Sequence, residues 1–84
     1  MTTVPTDLGT LEELLTKQIE EETGHEDVTL AGKLNELDMD SLTFSEVLMN
    51  LERQLGVELD LVETFEINRD TTVADLLRAI SDKL

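Results

Sequence analysis

The feature that most constrains the fold is the spacing of the apolar residues, which recur at helical intervals in residues 11–19, 44–55 and 73–84 of this 84-residue chain. Such spacing places apolar side chains on one face of an α-helix. The chain has no cysteine, tryptophan or tyrosine, and its two phenylalanines are Phe44 and Phe65. Packed aliphatic side chains must therefore hold it together without disulfides, and we predict an all-α fold.

Two long helices are predicted in the first two thirds of the chain. The first begins at Thr10, which matches a T-x-x-E capping box with Glu13, and it ends near Gly24. The second begins at residues 40–41 and ends at Gly56, since glycine commonly terminates helices. Their predicted inward faces are Leu11, Leu14, Leu15 and Ile19 in the first helix and Phe44, Val47, Leu48, Leu51 and Leu55 in the second.

A long loop is predicted between these two helices, because the helical period is lost from His25 to Asp40. Four scattered apolar residues would pin this loop to the core, namely Val28, Leu30, Leu34 and Leu37. Long ordered loops in small domains often carry function.

The last third of the chain predicts one short and one longer helix. Asp60 and Glu63 can cap a short helix that continues to Phe65, and Thr72 with Asp75 can cap the final helix. The final helix would face inward with Val73, Leu76, Leu77, Ile80 and Leu84. The prediction is a small four-helix bundle with three longer helices and a short third helix. Residues 1–9 would be a flexible lead-in to a single domain, residues 10–84.

The charge is strongly acidic, with 20 acidic against 6 basic side chains and a net charge of −14. This charge would repel nucleic acid and anionic membranes, and it favours partner proteins with basic patches. No apolar run approaches the roughly 20 residues that a membrane helix needs, and the first residues lack the pattern of a signal peptide. We therefore expect a soluble, cytoplasmic monomer.

Side chains for catalysis or metal binding are scarce. His25 is the single histidine and lies among acidic residues, where it is expected to be solvated rather than a catalytic base. An EF-hand loop beginning at Asp38 fails, because its sixth and twelfth positions are Thr43 and Met49. The four glycines are isolated, which argues against a phosphate-binding loop. We predict that the protein is not an enzyme and binds no metal.

The junction between the long loop and the second helix has a hydroxyl group at the start of an acidic helix. In local terms, Asp40 or Ser41 is a helix N-cap. The wider pattern consists of Asp40-Ser41-Leu42, Glu46, Met49 and Leu51-Glu52, followed by Thr64-Phe65-Glu66-Ile67 and Thr71-Thr72-Val73-Ala74-Asp75-Leu76. Together with the size and charge of the chain, this pattern resembles the acyl carrier protein family.

The resemblance implies a covalent cofactor on Ser41. There a separate transferase would attach a 4′-phosphopantetheine arm from coenzyme A, and the thiol of the arm would hold acyl groups as thioesters. Asp40 would help to position the transferase or its magnesium ion, and Leu42 completes the motif. The residues expected to dock basic partner enzymes are Asp38, Glu46, Met49 and Glu52. Without the resemblance, the acids would be solvated, and Met49 fits the core equally well.

Three departures from the family pattern favour a specialised lipid or secondary-metabolite pathway over ordinary fatty acid synthesis, namely Thr43, Ser45 and Arg53. An acyl cargo would lie among Phe44, Leu48, Leu51, Val62, Phe65 and Leu76. Two alternatives stay open. One is a peptidyl or aminoacyl carrier with the same arm, although Asp40 before the serine favours acyl cargo. The other is an acidic protein-interaction module without a prosthetic group.

Overall fold

The computed structural model describes residues 8–83, apart from the side chain of Leu8. Its helices are α1 (Leu8–Thr23), α2 (Ser41–Leu55) and α3 (Val73–Lys83), with a 3₁₀ helix at Leu34–Leu37 between α1 and α2. Within the described part of the chain there is no β-strand, only an isolated bridge in the loops. The predicted all-α class is confirmed.

The helix α1 begins at Leu8, two residues before the predicted start. Thr10 therefore lies inside the helix, and the prediction that it caps the helix is wrong. Leu8 stands three residues before Leu11 and seven before Leu15, so the apolar period extends into the segment expected to be a lead-in. The rest of the predicted flexible lead-in, residues 1–7, lies outside the described residues.

The core is aliphatic and is built from the predicted faces of the three helices. The buried helical residues are Leu11, Leu15 and Ile19 of α1, Phe44, Val47, Leu48, Leu51 and Leu55 of α2, and Val73, Leu76, Leu77 and Ile80 of α3. Leu14 is partly buried against this cluster, and Leu84 lies outside the described residues. Loop residues Leu34, Met39, Leu59 and Leu61 are also buried. The three inward faces are thus confirmed at the residues that the structure describes.

The predicted short third helix is wrong: residues 60–65 make a single turn. The amides of Thr64 and Phe65 both donate to the carbonyl of Leu61, at 3.2 and 2.8 Å, and the bonding does not continue. Asp60 has φ 54°, in the left-handed region, whereas an N-cap residue has extended backbone. The described chain therefore has three α-helices and a 3₁₀ turn, and the four-helix bundle is not confirmed.

The long loop is attached to the start of α3 by backbone hydrogen bonds. Leu34 donates to the carbonyl of Thr71 at 2.9 Å, and Val73 donates to the carbonyl of Gly32 at 2.9 Å. Ala74 donates to the carbonyl of Leu30 at 3.0 Å. These bonds hold the loop and the 3₁₀ helix in place beside the core.

The start of α3 follows the sequence prediction. The amide of Thr72 donates to Asp75 Oδ2 at 2.9 Å, and the amide of Asp75 donates to Thr72 Oγ1 at 3.3 Å. This reciprocal pair is a capping box.

None of the helices within residues 8–83 has the length and hydropathy that crossing a membrane would require.

Candidate functional site

Asp40 is the N-cap residue of α2. Its backbone is extended, with φ −76° and ψ 178°, and its Oδ1 accepts a hydrogen bond of 2.8 Å from the amide of Thr43. The hydrogen bond from this amide lowers the pKa of the Asp40 carboxyl below its usual range. The cap that the sequence left open between Asp40 and Ser41 is therefore made by Asp40.

Ser41 is the first residue of α2 and is exposed. Because Asp40 takes the capping role, the Ser41 side chain is not needed as a cap. The unpaired amides and the dipole at a helix N-terminus favour a negative group such as a phosphate there. Leu42, the next residue, keeps 70% of its surface exposed. The hydroxyl group of Ser41 thus lies at an accessible helix end that suits a phosphodiester.

A groove of about 380 Å³ lies beside Ser41. Its lining residues come from the 3₁₀ helix, the start of α2 and the loop before α3, and they are Asn35, Met39, Asp40, Ser41, Phe44, Ser45, Val62, Phe65 and Ile67. The rings of Phe44 and Phe65 stack with centroids 5.8 Å apart at 26°. The groove therefore joins the exposed serine to the apolar side chains of Phe44, Val62, Phe65 and Ile67, beside the polar ones of Asn35 and Ser45.

The groove covers only part of the predicted cargo site. Phe44, Val62 and Phe65 line it, and Val62 keeps 49% of its surface exposed. The remaining predicted residues are Leu48, Leu51 and Leu76, which are fully buried in the core. Sequence reasoning missed three lining residues, Asn35, Met39 and Ile67. Asn35 and Met39 belong to no sequence motif, and the Thr64-Phe65-Glu66-Ile67 pattern does not indicate that Ile67 lines a groove.

Asp38 lies two residues before the cap and contacts His25, which lies two residues after the end of α1. Its Oδ2 is 3.0 Å from Nε2 of His25. Asp38 adopts the left-handed conformation, with φ 59° and ψ 33°, and its amide donates to the carbonyl of Leu34. The carboxylate predicted to dock partners therefore pairs with the histidine that was expected to be solvated.

Glu46 and Met49 are both exposed on α2, and 53% of the Met49 surface is accessible. The pKa of Glu46 is raised, chiefly by a hydrogen bond with the Glu22 carboxyl and also by its charge. Glu22 Oε1 accepts hydrogen bonds from Asn50 Nδ2 at 3.1 Å and Gln18 Nε2 at 3.3 Å. The accessible α2 face is thus continuous with the end of α1.

Glu52 lies on the same helix but contacts backbone. Its Oε2 accepts a hydrogen bond of 2.8 Å from the amide of buried Leu59 and a longer one of 3.4 Å from Asp60. This carboxylate therefore holds the loop that follows α2. The sequence offers no signal for this role, because an acid at this position looks the same whether it faces solvent or a folded loop.

The comparisons with known proteins agree with the geometry. The chain matches the family described as the phosphopantetheine attachment site over residues 13–80, which is most of its length. The protein belongs to this family of carrier proteins. No curated protein and no solved structure matches the chain.

Members of this family carry 4′-phosphopantetheine covalently on a serine. They are not themselves catalytic, and they interact with phosphopantetheinyl transferases and acyl-processing enzymes. The exposed hydroxyl of Ser41, the helix end and the adjoining groove fit such a group. Among the described residues, no three His, Cys, Asp or Glu side chains converge as a metal site would require.

Proposed function

We propose that the protein is an acyl carrier that holds acyl groups as thioesters on a phosphopantetheine arm attached to Ser41, and presents them to partner enzymes. The observation that carries this proposal is the position of Ser41, exposed at the N-terminus of α2 and on the edge of a groove that is partly apolar. Family membership supplies the cofactor.

Ser41 is the best of the serines in the described residues. Ser45 is one turn further into α2 and half-buried, and Ser81 is within α3. A phosphodiester on Ser41 would lie beside the first amides of α2, where the helix dipole stabilises negative charge. The base that removes the proton from the Ser41 hydroxyl would belong to the transferase. Asp40 would position the transferase or its magnesium ion while its other oxygen caps α2.

An acyl cargo is favoured over an aminoacyl cargo by the groove. Its walls include Val62, Phe65 and Ile67, which offer apolar contact to an acyl chain, while Asn35 and Asp40 make another part of the groove polar. Asp40 before the serine points the same way through the resemblance to acyl carriers.

The proposal extends to partners and pathway. Basic patches on partner enzymes would meet Glu46 and Met49 on the exposed face of α2. Thr43, Ser45 and Arg53 favour partners in a specialised lipid or secondary-metabolite pathway. The protein would act as a cytoplasmic monomer.

Intact mass spectrometry tests this function. The chain is incubated with coenzyme A, Mg²⁺ and a broad-specificity phosphopantetheinyl transferase, beside Ser41→Ala and the matched control Ser45→Ala. We expect one added phosphopantetheine on the wild type and on Ser45→Ala, and none on Ser41→Ala. Modification of Ser41→Ala would move the site elsewhere, and an unmodified wild type with several transferases would favour the acidic interaction module.

A further inference from the structure

His25 is held in place at the end of α1. Gly24 adopts the left-handed conformation that ends the helix, with φ 79°, and its amide donates to the carbonyl of Glu20 at 2.9 Å. The amide of His25 then donates to Thr23 Oγ1 at 3.2 Å, and that hydroxyl donates to the carbonyl of Ile19 at 2.7 Å. Ile19 is fully buried. The backbone of His25 is thus linked by two hydrogen bonds, through Thr23, to the buried residue Ile19.

Backbone hydrogen bonds link Asp38 both to the 3₁₀ helix and to Asp40, the residue before α2. Its amide donates to Leu34, and its carbonyl accepts a hydrogen bond of 3.0 Å from the amide of Asp40. Asp40 caps α2 through Thr43, and Ser41 follows directly. Because Asp40 is bonded to Asp38, we expect a displacement of Asp38 to change the positions of Asp40 and Ser41.

The contact between His25 and Asp38 joins these two anchored segments. The two side chains meet at 3.0 Å although they are 13 residues apart in sequence. A left-handed backbone is costly for a residue other than glycine, although aspartate tolerates it better than most residues. A side-chain partner that is itself anchored favours this conformation over the extended alternatives.

We propose that His25 is a positioning residue for the modification of Ser41. By holding Asp38, it fixes the turn at residues 38–40 and so sets how Ser41 is presented to the transferase. This inference rests on the proposed function, because it takes Ser41 to be the attachment site. It assigns Asp38 a part in presenting the serine, in addition to the docking role expected from its charge.

The test measures the rate of phosphopantetheine transfer to wild type, His25→Ala, Asp38→Gly and the double variant. Glycine tolerates the left-handed backbone, so Asp38→Gly removes the carboxylate without adding strain. We expect each single variant to lower kcat/KM for the carrier about two- to five-fold, the range typical of exposed polar side-chain contacts, with an unchanged KM for coenzyme A. The double variant should lose no more than Asp38→Gly alone.

Two further variants separate positioning from a general loss of structure. His25→Gln keeps an amide donor near the place of Nε2 and should recover part of the rate, and Glu26→Ala, a change at the exposed neighbour, should leave the rate unaltered. A wild-type rate in His25→Ala, or independent losses that add in the double variant, would overturn the proposal. A loss in Asp38→Gly alone would show that Asp38 contacts the transferase directly and would likewise overturn it.

A second measurement does not depend on the transfer reaction. In NMR spectra, His25→Ala should shift the backbone amides of Asp40, Ser41 and Leu42 more than Glu26→Ala does. Unmoved amides would reject the positioning role even if Ser41 is modified. If the wild type is not modified at all, the proposed function fails, while the amide shifts still decide whether His25 orders this turn.

Discussion

The two ends of α2 differ in their exposure and in their contacts with the rest of the chain. At the N-terminal end, Asp40 satisfies the helix while Ser41 and Leu42 are left exposed. At the C-terminal end, Leu55 is buried and the Glu52 carboxylate binds the amides of the following loop. One end of the same helix therefore presents groups to solvent, and the other end holds the fold together.

The same contrast separates two acids that the sequence treats alike. Both Glu46 and Glu52 fit the docking pattern of the family, yet only Glu46 is on the exposed part of α2. Glu52 is partly buried against the loop after α2. A residue's place in a family pattern thus does not by itself reveal whether its charge is available to a partner.

The largest expected effect compares a buried and an exposed leucine on α2. Leu51→Ala should lower the free energy of unfolding by about 2–5 kcal/mol, because it removes a side chain packed in the core and leaves a cavity. Leu42→Ala should change it by no more than about 0.5 kcal/mol. Urea denaturation measures both changes. Similar losses of unfolding free energy in the two variants would contradict the placement of Leu51 in the core and Leu42 on the surface.

Glu52→Ala should cost about 1–3 kcal/mol of unfolding free energy, because the amide of buried Leu59 would lose its acceptor. Glu52→Gln keeps an acceptor oxygen and should retain most of the stability. Glu58→Ala, at a nearby exposed acid, is the control and should be close to wild type. Should Glu52→Ala be as stable as this control, Glu52 would return to the docking residues.

Asp40→Ala should lower stability at neutral pH by removing the cap of α2. Since the pKa of Asp40 is lowered in the folded state, the stability from its ionised form is present above the usual aspartate range and is lost as the pH falls through the lowered pKa. Thermal melting curves of wild type and Asp40→Ala should therefore converge in acid. A gap that is constant with pH would show that the charge plays no part.

The smallest effect concerns the carboxyl of Glu46, followed by NMR during a pH titration. Glu22→Gln should bring its pKa down toward the usual range, whereas Glu63→Gln, at an exposed acid elsewhere, should not. Because the folded pKa is raised, the stability from protonated Glu46 is present in acid and is lost as the pH rises through that pKa. An unchanged pKa in Glu22→Gln would disprove the link between α1 and the exposed α2 face.

Helix faces could be predicted from the sequence because burial follows a local period. The spacing of the apolar residues in α1, α2 and α3 predicts which face of each helix is buried. Thr72 with Asp75 predicts the start of α3. Asp60 and Glu63 gave the same kind of signal for a helix that does not form. Aspartate is common both in caps and in left-handed turns, so its presence alone cannot separate the two.

The geometry of the candidate site could be predicted only where its residues are consecutive. Asp40, Ser41 and Leu42 stand in one motif, and the structure places them at an exposed helix start. The contact of His25 with Asp38 spans 13 residues, and that of Glu52 with the Leu59 amide spans 7. Such contacts depend on how loops cross the bundle, which no local pattern encodes.

The backbone bonds between the long loop and the start of α3 have a consequence for the order of folding. They join Leu34 to Thr71 and Gly32 to Val73, on opposite sides of α2 in the sequence. Closing so large a segment costs chain entropy before any bond repays it. We therefore expect the loop that leads to Ser41 to become ordered together with α3, as one cooperative unit. The amides of Leu34, Val73 and Ala74 should then exchange with solvent in a single shared opening event.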